Sequence, residues 1–263
     1  MIDSTVFSRG VKRARKTLSK RVDAYLNDQS ADNVHDLRTA TRRVLACLQL
    51  LPARTRKSRR TRKYEARLSH LLGANAEVRD IDIILSKLTN RVDSSSYEAL
   101  SNRLKDHRAA KLSEGLDSAS SLRKSRHLSI SKEDLNDEKI QKRFDKVNKK
   151  LETRIRERLP IVLEDPARKK ELHRLRADSR RLRYVLDISG ASQNSEQIAL
   201  LRSWQDILGL THDCDIMIEF LQEEKQSPEL QALLRSEVAE RNQNYEKFAS
   251  MASTKIVMRL FQR

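Results

Sequence analysis

Apolar residues recur along this chain at intervals of three and four, while sustained one-in-two alternation is absent. That period belongs to helices packed through one face, so it predicts an all-α protein without strands. Val11, Ala14, Leu18, Val22 and Tyr25 mark a first stripe and predict a helix over residues 3–27. Asp28 to Asn33 is a polar break rich in capping residues, and the helix that follows contains His35 and ends near Leu51-Pro52. A third helix carries Arg54, Arg56, Lys57, Arg59, Arg60, Arg62, Lys63 and Arg67 beside Tyr64, Leu68, Leu71 and Leu72, and Gly73 is expected to stop it. Helices over 76–91 and 95–117 complete the first half.

Residues 118–137 are Ser-rich and only weakly periodic, which places a boundary there. The expected organisation is an N-terminal lobe over 1–125, a linker over 126–137 and a C-terminal lobe over 138–263. Ile140, Phe144, Val147, Leu151 and Ile155 predict a long helix at the start of the second lobe. Asp165-Pro166 reads as an N-cap followed by proline at the first helical position, opening the helix that carries His173. Further helices are predicted over 193–208, 211–225 and 228–250, with a short one after Ser253.

One pattern occurs twice. His35-Asp36-Leu37-Arg38-Thr39-Ala40-Thr41-Arg42-Arg43 and His173-Arg174-Leu175-Arg176-Ala177-Asp178-Ser179-Arg180-Arg181 share the form H-x-L-R-x-x-x-R-R, the second copy starting 138 residues after the first. At about 100° per residue, with Leu37 at zero, Val44 and Leu48 fall beside it, whereas His35, Arg38 and Arg42 lie at about 160°, 100° and 140°. Leu175, Leu182 and Leu186 repeat the apolar stripe, and His173, Arg176, Arg180 and Arg183 repeat the cationic side. The duplication extends further: Leu71-Leu72-Gly73 precedes Arg79-Asp80-Ile81-Asp82, and Ile207-Leu208-Gly209 precedes His212-Asp213-Cys214-Asp215. The interval from glycine to the first aspartate is three residues shorter in the second copy. Two related helical bundles are the expected outcome.

Composition sharpens the partner. With 54 Lys+Arg against 37 Asp+Glu, the chain carries +17 and a pI near 10.1, which points to an acidic ligand. Hydrophobic residues at 38% suffice for a core, so a disordered polybasic chain is excluded. No apolar run approaches the ~20 residues that cross a bilayer. The N-terminus has no apolar stretch ahead of a small-residue cleavage site, so a cytoplasmic, non-membrane protein is expected. Cys47 and Cys214 sit among apolar residues, as free thiols acting as small hydrophobes do.

The repeated arginines are the candidate ligand contacts. An isolated surface arginine is ordinary, but like charges four apart disfavour a bare helix by a few tenths of a kcal/mol. Two copies of that arrangement suggest that an anion offsets the repulsion, and the planar guanidinium suits phosphate oxygens. His35 and His173 have two open readings, structural hydrogen bonding or donation to phosphate; metal ligation ranks below both. Asp80/Asp82 and Asp213/Asp215 are the one enzyme-like feature, since paired carboxylates can hold Mg²⁺. Residues two apart on a helix point about 200° from each other, however. The preferred reading is structural, with one Asp capping and the other orienting an Arg or His of the basic helices. No phosphate loop, nucleophile elbow or Cys/His metal cluster is present, so no catalytic residue, metal or cofactor is expected. Nucleic-acid binding through backbone phosphates is the rival, weakened by an aromatic content of 4% that leaves little for base stacking.

Taken in order, VHDLRTATRRVLACLQLL, LLGANAEVRDIDI, ELHRLRADSRRLRYVLDI and WQDILGLTHDCDI resemble the CHAD family, the conserved histidine α-helical domain, in a stand-alone form. The resemblance implies a pair of pseudo-symmetric four-helix bundles with a basic central channel. It implies inorganic polyphosphate as the partner, nucleic acid as a weaker polyanion competitor, and a cytoplasmic location associated with polyphosphate granules. By position it marks His35, Arg38, Arg42 and Arg43 in the first motif and His173, Arg176, Arg180, Arg181 and Arg183 in the second. Extension of the site to Arg56, Arg60, Lys63 and Arg67 is a geometric inference from the dense basic helix that follows the first motif.

Overall fold

A computed structural model of the chain describes residues 2–89, 97–125, 135–190, 195–225 and 227–253. Among the described residues the elements are α-helices and no strand occurs: α1 (Ser4–Asn27), α2 (Ala31–Leu50), α3 (Ala53–Lys57), α4 (Arg59–Ala74), α5 (Ala76–Thr89), α6 (Glu98–Lys124), α7 (Asp137–Glu164), α8 (Lys169–Ser189), α9 (Ser195–Glu223) and α10 (Pro228–Ala252). The predicted short helix after Ser253 lies outside the described residues.

Several boundaries depart from the sequence pattern for local reasons. Ser58 divides the basic segment into α3 and α4, because its extended backbone and its Oγ, which accepts from Thr61 N at 3.2 Å, make it the N-cap of α4. Gly73 does not stop α4. Asn75 does, its Nδ2 donating to Leu71 O at 3.0 Å, and α5 begins at the next residue. α6 runs to Lys124 rather than 117, since Ala119 and Leu122 continue its buried side through the Ser-rich stretch. Asp165 does not cap a helix at Pro166. Its Oδ1 accepts from Ala167 N at 2.8 Å in a local turn, and α8 begins at Lys169. Gly209 likewise fails to end a helix, and α9 is continuous where two helices were expected. The first copy, with three more residues between its glycine and its first aspartate, breaks at Asn75, whereas the shorter second copy is one continuous helix.

The chain forms two compact units, Met1–Arg143 and Phe144–Arg263. The division falls inside α7, past the expected linker, whose residues 126–134 lie outside those described. The start of α7 is tied to unit 1: Ile2 N donates to Gln141 Oε1 at 2.7 Å, Ser4 N to Asp137 Oδ1 at 3.0 Å, and Arg143 Nε to Gln49 O at 2.7 Å.

In unit 1, α1 packs on α2 and α6, α2 on α4 and α5, and α4 and α5 on α6. Phe7, Leu18, Tyr25, Leu37, Leu48, Leu68 and Leu71 fill the core between them. In unit 2, α9 packs on both α8 and α10 around buried Leu175, Leu182, Trp204, Leu208 and Phe248. Trp204 meets Phe248 edge to face with ring centroids 5.4 Å apart. Such a pair contributes about 0.5–1.5 kcal/mol beyond its area burial. Both thiols, Cys47 and Cys214, are free and buried, and burial pushes the Cys47 thiol up to about 12.

Candidate functional site

The apolar stripe of α2 faces the core, with Leu37, Val44, Cys47 and Leu48 buried and Thr41 Oγ1 bonded back to Leu37 O at 2.7 Å. The opposite side carries the motif cations. His35 and Arg43 are exposed, while Arg38 and Arg42 are half-buried. Arg38 Nη1 donates to Leu72 O at 2.7 Å, so one motif arginine both faces outward and satisfies a carbonyl in the last turn of α4. His35 is held below the usual imidazole range by desolvation, then by the charge of Arg79 on α5 and that of Arg42. Arg79 thus belongs to the first basic face, which sequence reasoning missed. Arg60, Lys63 and Arg67 are exposed along one side of α4. Arg56, on α3, is half-buried beside Arg143, whose guanidinium is made less basic by burial and by Arg56.

Unit 2 repeats this arrangement with differences. Along α8, Arg176 and Arg180 are half-buried and Arg181 is exposed. Gly209 on α9 lies beside Arg176: a Cβ there would stand 3.9 Å from its Nη2, an ordinary contact. Burial and the charges of Arg181 and Arg183 lower the basicity of Arg180. Arg183, however, is only 6% exposed; its Nε donates to Gln205 Oε1 at 2.8 Å and its Nη1 to Asp187 Oδ2 at 3.0 Å, with the cation 4.7 Å from the Tyr184 ring centre. Those contacts turn Arg183 inward, and it leaves the candidate set as a structural residue. Asp178 is likewise enclosed, paired with Arg158 and with Arg154 at 3.8 Å.

The two histidines have different surroundings. His35 has no hydrogen bond among the described residues, whereas His173 Nε2 lies 3.1 Å from Asp215 Oδ2 and 3.2 Å from His212 Nδ1. The rings of His173 and His212 meet edge to face at 4.6 Å. Desolvation, followed by the charges of Arg176 and His173, lowers His212 to about 3, so it is neutral at physiological pH.

The second aspartate of each Asp-x-Asp pair is buried and anchors an arginine. Asp82 accepts from Arg108 Nε at 2.6 Å, and Arg108 Nη2 donates to Gln29 O at 2.6 Å. Asp215 accepts from Arg241 Nε at 3.1 Å, and Arg241 Nη2 donates to Pro166 O at 2.8 Å. In each unit this clamp holds the segment that leads into the motif helix. The role expected for one aspartate, orienting an Arg or His of the basic helices, is present only in unit 2, where Asp215 Oδ2 lies 3.1 Å from His173; Asp82 pairs with Arg108 of α6 instead. The capping role is absent: Asp213 lies inside α9 and Asp80 past the first turn of α5. Away from these clamps, Cys214, Glu237 and Glu240 bring three potential ligand atoms within 4.8 Å of one another, without any basic-face residue. No described helix is long and apolar enough to cross a membrane.

Comparison with known proteins agrees with this architecture. The chain superposes on the crystal structure of the CHAD domain from the plant Ricinus communis with a TM-score of 0.70 at 17% identity, over 96% of this chain and 92% of that one. No curated protein matches it. The profile of the CHAD domain matches residues 9–222, and with most of its length inside that match, this all-helical chain belongs to the CHAD domain family.

Proposed function

We propose that this protein binds inorganic polyphosphate through the basic faces of α2 and α8, extended by the arginine row of α4, and does not alter the polymer chemically. The observation that carries the reading is the crowding of positive charge at both motifs. After burial, the largest cause at each, the charges of Arg79 and Arg42 disfavour a cation at His35, that of Arg176 disfavours one at His212, and those of Arg181 and Arg183 make Arg180 less basic while it stays charged. A fold that holds cations together against their repulsion is matched to an anion that neutralises several at once. The CHAD family is associated with polyphosphate binding in general, and the half-exposed guanidiniums can each donate to a phosphate oxygen, contributing about 1.5–3 kcal/mol per charge-assisted bond. The buried clamps argue against phosphoryl chemistry, because Asp82 and Asp215 are turned to arginines instead of converging with Asp80 and Asp213 on a metal.

Competition separates this reading from nucleic-acid binding. Long-chain polyphosphate should displace duplex DNA and RNA from the purified protein at matched phosphate concentration, and should keep its length during incubation with Mg²⁺ or Mn²⁺. Tighter binding of a nucleic acid, or release of phosphate abolished by Asp80→Asn or Asp213→Asn, overturns it.

A further inference from the structure

Neither polyphosphate binding by the arginines nor the clamp on Pro166 accounts for the contacts that Asp215 and His212 make with His173. His173 Nε2 faces Asp215 Oδ2 at 3.1 Å and His212 Nδ1 at 3.2 Å. Asp215 is ionised, its carboxyl held below the ordinary range against burial by His173 and Arg241. A carboxylate only accepts, so His173 Nε2 must carry the hydrogen. The reverse arrangement, with His212 Nδ1–H donating, would set the His173 lone pair against the lone pairs of Asp215. His212 Nδ1 is therefore bare, and its own hydrogen sits on Nε2. The remaining nitrogen of His173, Nδ1, takes no partner among the described residues, and the side chain is 36% exposed.

Unit 1 lacks this arrangement. Asp82 meets Arg108 through Oδ1 while its buried Oδ2 has no hydrogen-bond partner, His35 has no hydrogen bond among the described residues, and Arg79 stands at the chain position that His212 occupies in unit 2. The duplicated motifs thus present one oriented imidazole and one unoriented one.

We propose that Asp215, braced by Arg241, is a positioning residue that fixes His173 with Nε2–H inward and Nδ1 toward the bound phosphate polyanion, so that unit 2 takes up a proton at Nδ1 as it binds. This rests on the polyphosphate reading and adds to it a second kind of contact, a histidine cation made at the moment of binding. The proton comes from solvent, and the new N–H donates to a phosphate oxygen. Asp215 and His212 from α9 face His173; Arg241 from α10 is bound to Asp215, the charges of Arg176 and Arg180 on its own helix act on His212, and Lys169 lies one turn earlier on that helix. Glu219 from α9 offsets Lys169, which lies 3.7 Å away. A phosphate oxygen brought to Nδ1 adds negative charge beside the ring and accepts the new N–H.

The test uses the full chain and long-chain polyphosphate. Ring ¹⁵N NMR of the free protein at neutral pH should report His173 as the Nε2–H tautomer, with its Nδ1 signal moving to the protonated range on titration with polymer. Binding isotherms between pH 8 and 6 should tighten by up to about tenfold per pH unit, the limit for one linked proton. His173→Gln should flatten that slope, and Asp215→Asn should both flatten it and mix the His173 tautomers. An Nδ1–H tautomer in the free wild-type protein overturns the proposal whether or not Asp215→Asn folds, as does an undiminished slope in His173→Gln. If wild-type protein binds with no slope while Arg176→Ala/Arg180→Ala abolishes binding, the polyphosphate reading stands and this inference falls. Absence of polymer binding at every pH removes both.

Discussion

Asp82 accepts a 2.6 Å bond from Nε of Arg108, a partner 26 residues further along the chain, and both are held away from water, at 2% and 17% side-chain exposure. Asp215 and Arg241 reproduce this separation of 26 residues in unit 2, at 1% and 8%. Each arginine then reaches the backbone just ahead of a motif helix, Gln29 O in one unit and Pro166 O in the other. The clamps position the basic faces without being part of them.

Breaking such a pair leaves a buried charge alone, which costs about 3–5 kcal/mol. Arg108→Ala and Arg241→Ala should each lower stability toward that range, with Arg241 the more sensitive because it is the more enclosed. Urea unfolding of each variant measures this, and a loss below 1 kcal/mol for Arg241→Ala would show that the clamp carries no structural weight.

The sequence made the helices legible because each buries one stripe, and it made a structural role for the Asp-x-Asp pairs legible because carboxylates two apart cannot share a helix face; which aspartate turns inward, and onto which partner, was not. Arg108 and Arg241 were not: nothing local distinguishes them from the many other basic residues of a +17 chain. Their signal is relational, the shared spacing from Asp82 and Asp215, and appears only after the copies are aligned. Arg183 was readable in principle. At about 80° from Leu175 it lies nearest the apolar stripe of all the motif cations, and the structure buries it. Gly73 and Gly209 misled because a glycine after a helical stripe resembles a left-handed cap, a conformation that among the described residues only Gly190 adopts, with φ 66°.

The glycines yield a prediction of opposite signs. A Cβ on Gly115 would stand 2.5 Å from Tyr25 Oη and 2.8 Å from Asn75 Oδ1, inside a packed region of unit 1, whereas one on Gly73 meets nothing within 4 Å. Gly115→Ala should destabilise by about 1–3 kcal/mol through overpacking. Gly73→Ala should stabilise by up to about 1 kcal/mol, since alanine is the better helix former. Thermal melts that ordered the two variants the other way would contradict the packing described around Tyr25 and Asn75.

Acid should weaken unit 2 before any carboxylate is titrated. A histidine of the unfolded chain takes its proton near 6.5, but His212 in the fold does so only at about 3, because burial and the charges of Arg176 and His173 oppose the cation. Between those values the unfolded chain binds the extra proton, so stability is complete above about 6.5 and declines as pH falls toward 3. His35, also lowered, acts in the same direction in unit 1. Melting temperature measured from pH 7 to pH 5 should therefore drop, and His212→Gln should reduce the drop; an unchanged pH dependence in that variant would assign the acid sensitivity elsewhere.

The duplicated faces make the sharpest functional prediction. Arg38→Ala/Arg42→Ala in unit 1 and Arg176→Ala/Arg180→Ala in unit 2 should each weaken long-chain polyphosphate binding by at least tenfold. That is the equivalent of about 1.4 kcal/mol, less than one lost charge-assisted bond supplies at the upper end. Arg38 also bonds Leu72 O, so its variant should lose up to about 1.5 kcal/mol of stability from that bond alone; binding must be compared at a temperature where every protein is folded. Each lost phosphate contact should flatten the dependence of log K on log salt, as counterion release requires of a linear polyanion. Lys105→Ala and Lys247→Ala, exposed residues of α6 and α10, remove the same charge away from both motifs and should have little effect. If these controls weakened binding as much as a motif double variant, the affinity would belong to net charge and not to the faces. If only one double variant lost affinity, the polymer would be read by a single unit, and the second copy of the motif would serve the fold alone.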